Sequence, residues 1–124
     1  MVERIVIPVL DESGKTSRLS PHFGRAPFFA VVKIKENGLV ENIVFQPNRS
    51  EHFGGQGHPP DIILGFAPQA VITYGMGPRA MRRFQSERVA VMQATADTLE
   101  DVITAYIQNE LKELTEGCRE ARHK

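Results

Sequence analysis

The sequence predicts an α/β domain built on a five-stranded mixed sheet with flanking helices, in the element order βββαβαβα. Three observations predict it. Residues 28–34 and 39–45 are β-rich runs separated by Lys35-Glu36-Asn37-Gly38, where Asn-Gly supplies the positive φ of a hairpin turn. Two later apolar runs alternate with helical patterns entered through proline, and such αβ units favour parallel pairing with helices on the sheet faces. The chain then closes on Leu99, Val102, Ile103, Tyr106, Ile107, Leu111 and Leu114, apolar residues at helical spacing.

Taken in order, residues 5–10 are a continuous apolar run rich in β-branched side chains, suited to a strand buried on both faces. Pro8 removes one ladder donor there and argues for a bulge or a partial edge. Asp11-Glu12-Ser13-Gly14-Lys15 turns the chain, and residues 16–27, with prolines and a glycine but no period, read as a loop. After the hairpin, residues 46–58 are rich in glycine and histidine and read as a long exposed loop. Pro59 and Pro60 suit a first helical turn and Asp61 a helix N-terminus; Ile62, Ile63, Phe66 and Ala67 follow at helical spacing until Pro68. Residues 70–74 suit a buried strand. Pro78 opens the next helix, with Ala80, Met81 and Phe84 on one face, and residues 89–92 suit the following strand. The last helix takes Asp97 or Thr98 as its N-cap and Gly117 as its stop. That division leaves 1–117 as a single domain and 118–124 as a polar tail.

The 124 residues carry 15 Lys+Arg against 15 Asp+Glu, with 41% hydrophobic and 24% charged, the composition of one globular domain. Signs stay mixed, seven basic against six acidic up to position 60 and eight against nine beyond it, so no nucleic-acid-binding face is expected. A lone cysteine, Cys118, cannot build an internal disulfide framework and points to a reducing compartment. The first residues hold too short an apolar run, with charges on both sides, for a signal peptide, and no stretch approaches the ~18 apolar residues of a membrane span. The expectation is a cytoplasmic protein with neither nucleic acid nor membrane as partner.

Chemistry-bearing residues are few. His22, His52, His58 and Cys118 are the main soft or borderline metal ligands; solvated loop histidines and an inert tail thiol are the plainer alternatives. His22-Phe23-Gly24 and His52-Phe53-Gly54 repeat one tripeptide. In Gly75-Met76-Gly77-Pro78-Arg79, a strand feeds a glycine turn at a helix N-terminus, which aims backbone N–H groups outward and favours an anion; a plain strand-to-helix turn would also explain the glycines. Arg79 adds a bidentate donor, Arg82, Arg83 and Arg88 extend a basic cluster, and Arg25 joins if its loop folds over the sheet. No nucleophile elbow, His-Glu-x-x-His or Cys-x-x-Cys is present, and Asp11, Glu41, Asp61 and Asp97 each have a simpler role than holding Mg²⁺. An enzyme is not expected.

Ser20-Pro21-His22-Phe23-Gly24-Arg25-Ala26-Pro27-Phe28-Phe29 and Gly75-Met76-Gly77-Pro78-Arg79-Ala80 resemble the signatures of the dinitrogenase iron–molybdenum cofactor biosynthesis family. The likeness runs over roughly residues 3–114. It implies a three-layer fold similar to ribonuclease H, and a protein that binds or carries an iron–sulfur or iron–molybdenum-type cluster precursor without catalysing a reaction. By position, His22 belongs to the first motif with Phe23, Gly24 and Arg25; His58 matches a histidine at the start of the first helix; Gly75, Gly77, Pro78 and Arg79 match the second motif.

Both readings meet in one expectation: a polyanionic metal–sulfur cluster rests on the glycine turn, with His22 and His58 as ligands, His52 and Cys118 as secondary ligands, and Phe23, Gly24, Arg25, Gly75, Gly77, Pro78 and Arg79 on the anion side. Metallocluster-assembly or acceptor proteins are the expected partners. The runner-up is a regulatory module that binds a small phosphorylated ligand or an acidic protein at the same turn. A Mg²⁺-dependent nuclease ranks last.

Overall fold

The structure, a computed structural model, describes residues 2–50, 54, 55 and 57–114. Five strands and three helices alternate as β1 (Glu3–Val9), β2 (Phe28–Ile34), β3 (Val40–Pro47), α1 (Pro59–Leu64), β4 (Ala70–Thr73), α2 (Pro78–Ser86), β5 (Ala90–Gln93) and α3 (Leu99–Ile107), with a short 3₁₀ turn at Gly14–Thr16. The strands form one mixed sheet in the order β3-β2-β1-β4-β5. β1–β2 and β2–β3 are antiparallel, whereas β1–β4 and β4–β5 are parallel.

Side-chain alternation along the strands divides the interior in two. Ile5, Ile7, Val9, Val32 and Ile72 face α3, where Leu99, Val102 and Ile103 cover them. Val6, Phe29, Val31, Val71 and Val91 face the other way, under Ile63 of α1 and Met81 and Phe84 of α2.

Pro8 sits in β1 with no bulge, paired opposite Phe29. The β1–β4 ladder covers only Ile5 and Val6, so Pro8 lies on a partial edge. Residues 18–20 cover that edge: Val9 bridges Leu19, and Ser20 N–H donates to the Pro8 carbonyl at 3.0 Å. The hairpin turns at Gly38 (φ 82°), with the Asn37 side chain accepting from Leu39 N–H at 3.1 Å.

Three expectations are corrected. Residues 46–58 are not exposed throughout: β3 runs on to Pro47, and Asn48 (4% exposed) and Ser50 (0%) are buried. The first helix stops at Leu64 rather than Ala67, which takes a positive φ of 55°. The last helix stops at Ile107, because Asn109 adopts φ 58° while Asn109 N–H donates to Tyr106 and Glu110 N–H to Ala105, a Schellman closure. Leu111 and Leu114 therefore lie beyond it, and the chain returns along β5, with Gln93 N–H donating to Lys112 and Leu114 N–H to Val91. Gly117 falls outside the described residues.

Candidate functional site at the carboxyl ends of the parallel strands

β1 and β4 lie side by side and parallel, and the chain leaves them in opposite directions, to β2 and towards β5. Such a switch point opens a crevice beyond the carboxyl ends of the strands. Residues 10–27 follow β1 at that end, 74–77 follow β4, and the end of β3, which pairs with the start of β2, leads through 48–58 into α1. His22, Arg25, His58, Gly75, Gly77 and Arg79 thus all emerge at one end of the molecule.

Between the N-termini of α1 and α2 lies a cleft of about 440 Å³ lined by His58, Pro59, Pro60, Asp61, Arg79, Ala80 and Arg83. The two helix starts differ as donors. Pro59 and Pro60 have no N–H, and Asp61 N–H donates to the His58 carbonyl at 3.0 Å, so α1 offers little. α2 begins with Pro78 after Gly77, and no side chain caps it. Pro78 has no N–H and the Met81 N–H donates to the Gly77 carbonyl at 3.0 Å, which leaves those of Arg79 and Ala80, two residues of the cleft lining, at the positive end of the helix dipole. Gly77 has an ordinary extended backbone (φ −67°), and a Cβ on it would meet nothing within 4 Å. Neither strain nor crowding demands glycine there; its effect is to leave the front of α2 bare.

Charge in the cleft is partly cancelled. Arg83 Nε donates to Asp61 at 3.2 Å and its Nη1 to Glu87 at 2.9 Å, and these bonds, Glu87 first, raise the guanidinium pKa. One guanidinium thus serves two half-exposed carboxylates, which offsets part of the charge of Asp61 and ties α1 to α2. Of the basic cluster, Arg79 is the exposed cation at the helix start, whereas Arg88 ends α2 in a left-handed conformation (φ 60°).

The first motif divides between anchor and display. Phe23 is 8% exposed, its ring edge-on to Phe84 of α2 at 5.8 Å, so it does not offer a face to a ligand. Ala26 is buried beside it. His22 and Arg25 are exposed. Ser20 Oγ closes the turn by accepting from His22 N–H and donating to the His22 carbonyl. Asn48 then holds the loop: its Nδ2 donates to the Gly24 and Ala26 carbonyls at 3.1 and 2.8 Å, and its Oδ1 accepts from Ser50 N–H. The structure thus brings His58 and Arg79 into one cleft and sets His22 and Arg25 at the same end, outside its lining. His52 and Cys118 lie outside the described residues.

Sequence reading passed over Asn48, whose signal was an Asx turn two residues before Ser50. It also gave no joint role to Tyr74 and Asp97. Tyr74 Oη lies 2.8 Å from Asp97 Oδ1 and 3.0 Å from the Ala96 carbonyl, and burial, then Asp97, push its pKa up to about 12. These two residues, with Leu10, Arg18, Leu19 and Pro21, line a second cleft of about 300 Å³ on the α3 side of the same end. A third, of about 320 Å³, lies at the far end, where Tyr106 donates to Glu3 at 2.6 Å. Among the described residues no group of three His, Cys, Asp or Glu converges as a metal site, and no helix is long and apolar enough to cross a membrane.

The profile of the dinitrogenase iron–molybdenum cofactor family matches residues 4–109. Over 111 residues the chain is 28% identical to the uncharacterized protein MJ0580 of Methanocaldococcus jannaschii, covering 88% of this chain and 89% of that protein. The crystal structure of PH0822 superposes with a TM-score of 0.75 at 33% identity, covering 90% of this chain and 94% of that one. The apo form of the orange protein from Desulfovibrio gigas, at 18% identity, shares the fold with a TM-score of 0.77 over 94% of this chain and 97% of its own.

Proposed function

Because the chain belongs to the dinitrogenase iron–molybdenum cofactor family, we propose that it binds and carries an iron–sulfur or iron–molybdenum-type cluster, or a precursor of one, and catalyses no reaction. The observation that carries this reading is the cleft joining His58 and Arg79 before the uncapped start of α2. A metal–sulfur cluster is a polyanion with exchangeable metal sites. Backbone N–H groups, a helix dipole and a guanidinium stabilise its charge, and a single imidazole holds a metal without enclosing it. Arg83 offsets part of the charge of Asp61, the carboxylate in the cleft lining, and so weakens its repulsion of the cargo. His22 and Arg25, on the anchored loop, close over it from the β1 side. A few contacts give the moderate affinity that lets a carrier pass its load to an assembly or acceptor protein, here in the cytoplasm.

Anaerobic reconstitution with iron and sulfide tests the reading. Wild type should retain iron and sulfide through desalting, with loading reduced in His58→Ala and Arg79→Ala and, to a smaller degree, in His22→Ala. No loading of wild type, or equal loading in all four proteins, would overturn it. Phosphate-induced amide shifts confined to residues 75–80, without any response to iron, would favour a phosphate-binding regulatory module instead.

A further inference from the structure

β3 is an edge of the sheet, and β2 is its only strand partner among the described residues. Sheet edges expose unpaired N–H and C=O groups, and soluble proteins usually guard them with lysine, proline or a bulge. β3 has such guards only at its ends: the register shift opposite Lys33 and Ile34 near Val40, and Pro47. Between them, Asn42-Ile43-Val44-Phe45-Gln46 carries no charge. Leu39 (61%), Val40 (36%) and Val44 (42%) belong to the five large hydrophobic side chains left exposed among the described residues. Ile43 and Phe45, on the other face, pack partly buried against the α3-side core.

We propose that β3 pairs antiparallel with β3 of a second copy of this chain, extending the two sheets into one. A two-fold contact requires a strand that complements itself, and β3 does. With the axis at Val44, the facing pairs are Val44 with Val44, Ile43 with Phe45, and Asn42 with Gln46, and Glu41, at the register shift, falls beyond them. Polarity matches across the uncharged stretch: apolar Val44 is covered on one face, Ile43 and Phe45 continue the core on the other, and the two amides can hydrogen-bond. Glu41, the one charged residue of β3, meets no like charge. Shifting the axis to Ile43 would instead set the Asn42 amide against apolar Val44. In the paired form the crevice ends point away from each other, leaving each free. The inference is independent of what the crevice holds.

Sedimentation velocity over a concentration series tests it. Wild type should show a monomer–dimer equilibrium, and Val44→Lys should raise the dimer dissociation constant more than about tenfold while leaving the circular dichroism spectrum unchanged. Val44→Cys in a Cys118→Ser background should form a disulfide-linked dimer on mild oxidation, and this arm stands alone if Val44→Lys does not fold. Wild type that stays monomeric to millimolar concentration, a dimer indifferent to Val44→Lys, or no cross-link through Val44→Cys would overturn the proposal.

Discussion

The two faces of the sheet are built differently. On one, α3 is capped at its start by Thr98, whose Oγ1 accepts from Asp101 N–H, and closed at its end by Asn109, and it buries Leu99, Val102 and Ile103 on the strands. On the other, α1 and α2 lack side-chain caps, and the core is completed by Phe23 and Met76, which belong to loops. The α3 face also takes loop residues into its core, Leu19, Ala94 and Leu111, but only on the face with the His58–Arg79 cleft do the loop anchors belong to the two motifs. Each motif therefore couples a buried apolar anchor to an exposed polar neighbour: Phe23 to His22 and Arg25, Met76 to the glycine turn. His22 and Arg25 are thus held in place through the core beneath their loop, whereas Arg79 stands on the first turn of α2.

Paired core truncations test that division most strongly. Leu99→Ala should cost about 2–5 kcal/mol and Phe23→Ala about 3–5 kcal/mol, read from denaturant midpoints. Only Phe23→Ala should also lower cluster loading per folded molecule; equal loading in both would break the comparison. Asn48→Ala leaves the part-buried Gly24 carbonyl and the buried Ala26 carbonyl without their donor and should cost about 1–3 kcal/mol, with faster amide exchange across residues 22–26 and unchanged exchange in α3.

Arg88 and Asn109 end α2 and α3 in the left-handed region, where glycine is unstrained. Arg88→Gly should therefore raise stability by about 0.5–1 kcal/mol, visible as a higher Tm. The smallest expected effect concerns pH. Tyr74 keeps its proton more tightly when folded, so its contribution is complete below its ordinary value of 10 and fades as pH rises through about 12. Tyr106 is shifted in the same direction, by burial and then Glu3. Tyr74→Phe should flatten part of the alkaline loss of stability in pH-dependent melting, and an unchanged profile would remove Tyr74 from the account.

The strands, the hairpin and the proline-led start of α2 were legible because short-range signals specify them: β-branched runs, Asn37-Gly38 and Pro78. Helix ends were not. Leu111 and Leu114 continue the helical spacing but pack through a returning segment, and the left-handed residues that follow the three helices, Ala67, Arg88 and Asn109, are not glycines. Phe23 in the first motif reads as a ligand contact in sequence, yet only tertiary packing reveals it as an anchor on Phe84. Asn48 was hidden for the same reason, since its partners lie on another loop, more than twenty positions earlier. The placement of His58 beside Arg79 depends on how α1 meets α2 and has no local signature.

Paramagnetic broadening of amide signals after anaerobic loading with iron and sulfide tests the central claim most directly. Broadening should centre on His58 and residues 75–80, extend to residues 22–25, and spare Leu99–Ile107 and the Glu3–Tyr106 end. Broadening centred on α3 or on the far end, or none from a loaded protein, would contradict it.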